Sequence, residues 1–161
     1  MKRVYLSLGS NIGDRERNLR EAIERLGGAG IAVLRVSPVY ETEPVDFAGQ
    51  PWFLNLAVEA ETALFPMQLL ARTSRIEREL GRVRSTPKGP RTLDIDILLY
   101  GDTVVHTPRL GIPHPRMAQR RFVLAPLADL DPRLRHPVTH QTIAELLAAA
   151  PPDRVRRWQP P

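Results

Sequence analysis

A chain of 161 residues fits one domain of ordinary size, and at that length roughly 70% of the unfolded surface can be buried without staples. Hydrophobic residues make up 42% and charged residues 25%, a globular balance, and the absence of cysteine excludes disulfides and thiolate metal sites. The net charge of +5 is almost entirely arginine and suits anionic partners such as polyphosphates. No apolar run is long enough for a signal core or a membrane span, so a cytoplasmic protein is expected.

Residues 4–8 are short, apolar and bounded by Gly9, which predicts a strand. Asp14 is placed to cap a helix running to about Leu26, with Leu19, Ala22, Ile23 and Leu26 at helical spacing and Gly27 as its end. Between them, Gly9-Ser10-Asn11-Ile12-Gly13 reads as a turn. It has neither the Gly-Lys-Ser/Thr ending of a P-loop nor the glycine spacing of a dinucleotide fold. Residues 31–36 are β-branched enough for a second strand, and YETEPVD at 40–46 reads as a loop. Residues 53–61 alternate, with Leu54, Leu56, Val58 and Ala60 on one face and Phe53, Asn55, Ala57 and Glu59 on the other. Pro66 opens a second long helix with a buried stripe of Leu69, Thr73, Ile76 and Leu80, and Gly81 follows its end. Residues 93–100 form a strand, 118–129 and 142–149 are helical, and 151–161 are expected as a loosely held tail. The order through Tyr100 is β-α-β-β-α-β, which predicts an α+β fold: a ferredoxin-like antiparallel sheet with two helices on one face, extra C-terminal helices, and one catalytic domain over 1–161.

Asp94 and Asp96 stand inside a predicted strand, where aspartate is depleted and a carboxylate beside an apolar run is costly unless compensated. Two positions apart, both point to one face, roughly 6–7 Å apart at their Cα atoms, while Ile95 and Ile97 point into the core. Like charges so placed repel each other, and a cation relieves the repulsion. Magnesium suits, because it takes one or two carboxylates and accepts substrate phosphates for the rest. The spacing leaves room for two ions. A bare Asp-x-Asp is most often a solvated pair; the neighbourhood argues otherwise. Arg82, Arg84, Lys88 and Arg91 fall within ten residues that hold no acid, and the glycines and prolines among them make the stretch a loop suited to closing over a metal–triphosphate. A second basic group follows at Arg109, His114, Arg116, Arg120 and Arg121, with His114 held between Pro113 and Pro115. On the Phe53 face, the amide of Asn55 offers donors and an acceptor suited to the edge of a nitrogen heterocycle, and Phe53 and Phe122 offer rings to stack on it.

These residues resemble a known family over nearly the whole chain: 6-hydroxymethyl-7,8-dihydropterin pyrophosphokinase, an enzyme of folate biosynthesis. The motifs that carry the likeness are LSLGSNIGD, YETEPV, QPWFLNLAVE, RIERELGRVR, GPRTLDIDILLY, RLGIPHPRM and RFVLAPL, in that order. The resemblance implies transfer of the pyrophosphoryl group of ATP to the pterin's hydroxymethyl oxygen, with release of AMP and the use of two magnesium ions. It implies that Asp94 and Asp96 hold both ions and that Arg82, Arg84 and Arg91 contact phosphates, Arg82 and Arg91 among the catalytic residues. It places Glu77, Ile97, Arg109, His114 and Arg120 with Arg84 around ATP, and Thr42, Pro44, Val45, Phe53, Asn55 and Phe122 around the pterin. The partners implied are small molecules, neither nucleic acid nor membrane, and the chain is read as a monomer. Two departures stand out: Lys88 occupies the place of a tryptophan common in the family, in a loop one residue shorter, and Ser74 replaces a longer polar residue near the nucleotide.

The rival reading is a ferredoxin-like nucleic-acid-binding module. It requires exposed aromatics interleaved with basic residues on the sheet. Aromatics make up only 6% of the chain, and two aspartates on what is expected to be a central strand stand where phosphates would pass.

Overall fold

The computed structural model describes residues 1–161 except 45–48, 82–91, 153 and 161. The longest strand contact joins β1 (Lys2–Ser10) to β4 (Phe53–Thr62), antiparallel, with Gly9 opposite Asn55 and Ser7 opposite Ala57. On its other side β1 pairs with β5 (Asp94–Tyr100), Gly9 opposite Asp94 and Ser7 opposite Asp96. β4 is shared on its outer side by β2 (Ile31–Val36) and by a short strand β3 (Tyr40–Thr42). The expected 40–46 loop therefore starts as a strand. Its Tyr40 and Thr42 are buried, and the cross-strand partners that bury them come from remote sequence. β8 (Val155–Arg157) pairs with β3 and completes a six-stranded sheet ordered β5-β1-β4-β3-β8, with β2 on β4. β6 (Val105–His106) and β7 (Gly111–Ile112) form a separate small hairpin.

The chain alternates between the two faces of this sheet. Val4, Leu6, Leu8, Leu54, Leu56, Val58, Ile95 and Ile97 face one side. There they meet α1 (Arg15–Gly28), through Leu19, Ala22 and Leu26, and α2 (Pro66–Glu79), through Leu69 and Ile76. Asp14 caps α1, its carboxylate accepting from Arg17 N at 3.2 Å. Gly27 lies inside the helix rather than ending it; the chain turns at Gly30, whose φ of +86° suits glycine. Gly81, at φ +79°, follows α2 as expected. In the α2 stripe, Leu80 is the C-cap and only partly buried, and Glu77 is buried instead.

Tyr5, Ala57, Leu98 and Leu99 face the other side, against α3 (Arg121–Leu130) and α4 (Ile143–Ala149). Both sheet faces are thus covered. The expected helix over 118–129 is divided: a 3₁₀ turn over Met117–Gln119 ends at Arg120, and α3 starts afterwards. Thr142 caps α4 in a reciprocal box with Glu145. The segment expected as a loose tail holds β8, and Trp158 packs against the first core. Among the described residues no helix is long and apolar enough to cross a membrane.

Candidate active site

The candidate site lies at one end of the sheet, on the same face as Tyr5 and Ala57, around Asp94, Gly9 and Asn55. Strand alternation puts Asp94 and Asp96 on that face, as the period of two requires, and both side chains are half-buried. β5 is an edge strand, not a central one: among the described residues it pairs only with β1. The edge is held by Glu77, a buried carboxylate on α2 whose Oε2 accepts from Ile95 N at 2.8 Å. This bond satisfies a backbone donor located between the two aspartates. Ile97 is 4% exposed and its side chain is in the opposite core.

A register shift follows. Leu6 pairs with Ile97 but Tyr5 pairs with Leu99, so Leu98 is the extra residue of a β-bulge. Its carbonyl accepts from His114 N at 3.0 Å, which docks the 113–115 segment on the edge. His114 Nδ1 accepts from Arg116 N at 3.2 Å. The ring proton is thereby assigned to Nε2, which lies 4.0 Å from Asp96 Oδ1. Burial, with the charges of Arg120 and Arg116, pushes the imidazole down to about 4, so at neutral pH it is an uncharged donor facing the acidic pair. Arg109 is exposed at the tip of the β6–β7 hairpin. Arg120 caps α3 and places its guanidinium 5.5 Å from the Phe122 ring centroid.

Across the sheet, Asp94, Gly9 and Asn55 occupy neighbouring positions on β5, β1 and β4. That row sets the acidic pair roughly 10 Å from the amide, two strand spacings. Asn55 is buried and donates from Nδ2 to Thr42 Oγ1 at 2.6 Å. Its Oδ1 occupies the space above Gly9: a Cβ at residue 9 would lie 2.7 Å from it. Glycine at 9 is therefore a clearance requirement, not a turn signal. Ser10 and Asn11 likewise are not a loose turn. Ser10 belongs to β1, and Asn11, fully buried, donates to Gln50 Oε1 at 2.7 Å and to Pro51 O at 3.1 Å. Arg15 reaches Trp52 O and Glu41 Oε2, both at 2.9 Å. These bonds fix residues 50–52 and β3 around Asn55. Thr42, Phe53, Asn55 and Tyr40 come together on one face, with α3 packed on the same face of β4 and Phe122 partly buried at its start. Pro44 is half-buried just beyond β3. Val45 and the arginines Arg82, Arg84 and Arg91, together with Lys88, lie outside the described residues.

The sequence of residues 5–132 matches the model of the 7,8-dihydro-6-hydroxymethylpterin-pyrophosphokinase family. The chain belongs to this family. Among its relatives is the 2-amino-4-hydroxy-6-hydroxymethyldihydropteridine pyrophosphokinase of Bacillus subtilis, 52% identical over 79% of this chain and 77% of that protein. The protein of the same name from Pseudomonas aeruginosa is 44% identical over 98% of this chain and 97% of its own length. The folic acid synthesis protein fol1 of Pneumocystis carinii is 48% identical over 88% of this chain, which spans only 19% of that protein. A crystal structure of Plasmodium falciparum HPPK-DHPS shares the fold, with a TM-score of 0.72 at 18% identity over 92% of this chain and 43% of the other. The family model and the relatives place the chain in this family, and the solved structure shares its fold.

Proposed function

We propose that this chain is an ATP- and magnesium-dependent pyrophosphokinase of folate biosynthesis. It transfers the pyrophosphoryl group of ATP to the hydroxymethyl oxygen of 6-hydroxymethyl-7,8-dihydropterin. One bond forms between that oxygen and the β-phosphorus, the bond to the α,β-bridging oxygen breaks, AMP leaves with its electron pair, and the alcohol proton passes to solvent. The observation that carries the reading is the row Asp94–Gly9–Asn55: an acidic pair on an edge strand and a buried amide wall on one sheet face, in a chain of this family. The strand order β5-β1-β4-β2, all antiparallel with a helix before β2 and another before β5, supports the ferredoxin-like description of the frame.

The donor set of Asp94 and Asp96, hard oxygens half-exposed at an edge, fits magnesium, and both ions are assigned to this pair. Bound there, magnesium would neutralise phosphate charge and hold the reacting groups in line. The protein's own part is positioning and charge. Glu77 fixes the backbone between the aspartates, and His114 offers a neutral N–H. Arg82, Arg84 and Arg91, with Arg109 and Arg120, supply cations for the triphosphate. Ile97, whose side chain is committed to the core, has only its backbone to offer a nucleotide. Thr42, Pro44, Val45, Phe53, Asn55 and Phe122 hold the pterin, the Thr42 hydroxyl orienting the Asn55 amide.

Binding tests this arrangement without turnover. An ATP analogue with a non-cleavable α,β bridge should bind at least about tenfold more tightly with magnesium than without, and Asp94→Ala should erase the difference; equal affinity with and without the metal rejects the assignment. Gly9→Ala should raise the KM for the pterin roughly tenfold or more, because the new Cβ drives Asn55 off its Thr42 bond, while the KM for ATP stays nearly constant. Unchanged pterin kinetics in that variant would show that the Asn55 position is not set by Gly9.

A further inference from the structure

The segment 154–158 lies beyond residue 132, where the match to the family model ends, yet it is joined to the substrate wall at every residue from Arg154 to Trp158. Arg154 O accepts from Glu43 N at 3.1 Å, and Trp158 N donates to Val39 O at 2.9 Å. Between these two bonds, Val155, Arg156 and Arg157 pair with Thr42, Glu41 and Tyr40. The side chains extend the grip in three directions. Arg156 donates to Glu41 Oε1 from Nη2 at 2.7 Å and from Nε at 3.2 Å, and its guanidinium is 4.9 Å from the Trp52 ring centroid. Arg157 donates to Asp129 Oδ1 at 3.0 Å and to the Tyr40 hydroxyl at 3.4 Å, while that hydroxyl also donates to Asp129. Trp158 packs against the core.

The two places gripped are the two stems that flank residues 45–48: Glu41–Glu43 on one side and Trp52 on the other. Thr42, which orients the Asn55 amide, and Phe53, next to Trp52, sit on those stems. An arginine that donates twice to one carboxylate oxygen and stacks on a ring restricts orientation more than a lysine's point charge does. Only a group held within a fraction of an ångström pre-organises a site. We propose that segment 154–158 is a positioning element for the pterin wall, in which Arg156 ties the two stems together and Arg157 ties β3 to α3. This rests on the pyrophosphokinase reading. Neither arginine is assigned a contact with substrate.

The test is steady-state kinetics of the full chain and of Arg156→Ala, Arg156→Lys and Arg157→Ala, with each substrate varied in turn and melting temperature followed in parallel. For Arg156→Ala the KM for the pterin should rise about tenfold, the KM for ATP should stay within about twofold, and kcat should fall by no more than about threefold. Arg156→Lys should recover part of the affinity, since it keeps the charge opposite Glu41 and loses the stacking. A lower melting temperature with both KM values unchanged, or an equal rise in both, overturns the proposal and leaves β8 a purely structural strand. If an alanine variant does not fold, the lysine variant decides by the same ratio. Absence of pterin diphosphate from the unaltered chain would instead remove the underlying activity.

Discussion

Asp94→Ala and Asp96→Ala should each lower turnover by a factor on the order of 10³ or more, with the fold intact. Two features set the size of the effect. The pair is the hard-oxygen ligand set proposed for the ions, and loss of one preorganised charge-stabilising group in such a site commonly costs 10²–10³ in rate. The fold should survive because both side chains are half-buried on the edge strand β5, not packed in the core. The neighbouring Ile95 and Ile97 retain the strand's apolar contacts. The effect should appear mainly in kcat, since positioning of the phosphoryl group matters most in the transition state. Circular dichroism and melting temperature check the fold, and quench-flow or steady-state assays check the rate. Full activity in either variant would sink the metal assignment.

The largest effect on stability is expected at Glu59, far from the chemistry. It is 4% exposed on β4. Its carboxylate accepts from the Tyr5 hydroxyl at 2.6 Å and from Arg35 Nε and Nη2 at 2.9 and 3.1 Å, and Arg3 lies 3.5 Å away. The hydrogen bond from Arg35 leads the causes that hold it at about 2, below the ordinary 4.5, against the opposing push of burial. The same network raises the Tyr5 hydroxyl, burial first and the bond to Glu59 next. A carboxylate depressed in the folded state stabilises it fully above about pH 4.5 and loses that contribution as pH falls toward 2. At neutral pH the ionised carboxylate contributes on the order of 2–3 kcal/mol, discounted for the solvent around both arginines. Glu59→Gln should therefore lower the melting temperature by roughly 5–10 °C at pH 7 and flatten the acid limb of the stability profile. Equal losses at pH 7 and pH 3 would contradict the electrostatic origin.

Legibility in the sequence followed the range of the interactions. The same-face placement of Asp94 and Asp96 needed only the period of a strand. The Asp14 cap and the α2 start at Pro66 needed only local rules. The position of β5 at the edge did not follow, because strand order depends on pairing between residues some ninety apart. The bulge at Leu98 is equally silent in sequence, although it is what brings His114 to Asp96. The resemblance assigns Glu77 to the nucleotide. Its bond to Ile95 N could have been suspected from one sign, an acidic residue beside Ile76 in the apolar stripe of α2. Gly9 looked like turn chemistry because glycine marks both turns and close approaches, and only the register with Asn55 separates the two. The segment after 151 looked loose because its prolines and arginines carry no apolar period. Its partners Glu41, Trp52 and Asp129 are remote, and their attraction for arginine leaves no local trace.

The central claim is that the acidic edge and the amide wall on one sheet face perform pyrophosphoryl transfer to a pterin alcohol. The most direct measurement follows ATP labelled at the β-phosphorus, incubated with magnesium, 6-hydroxymethyl-7,8-dihydropterin and the protein. The label should appear in a pterin diphosphate formed in equal amount with unlabelled AMP. Label retained in ADP, or no labelled pterin at all, would contradict the account.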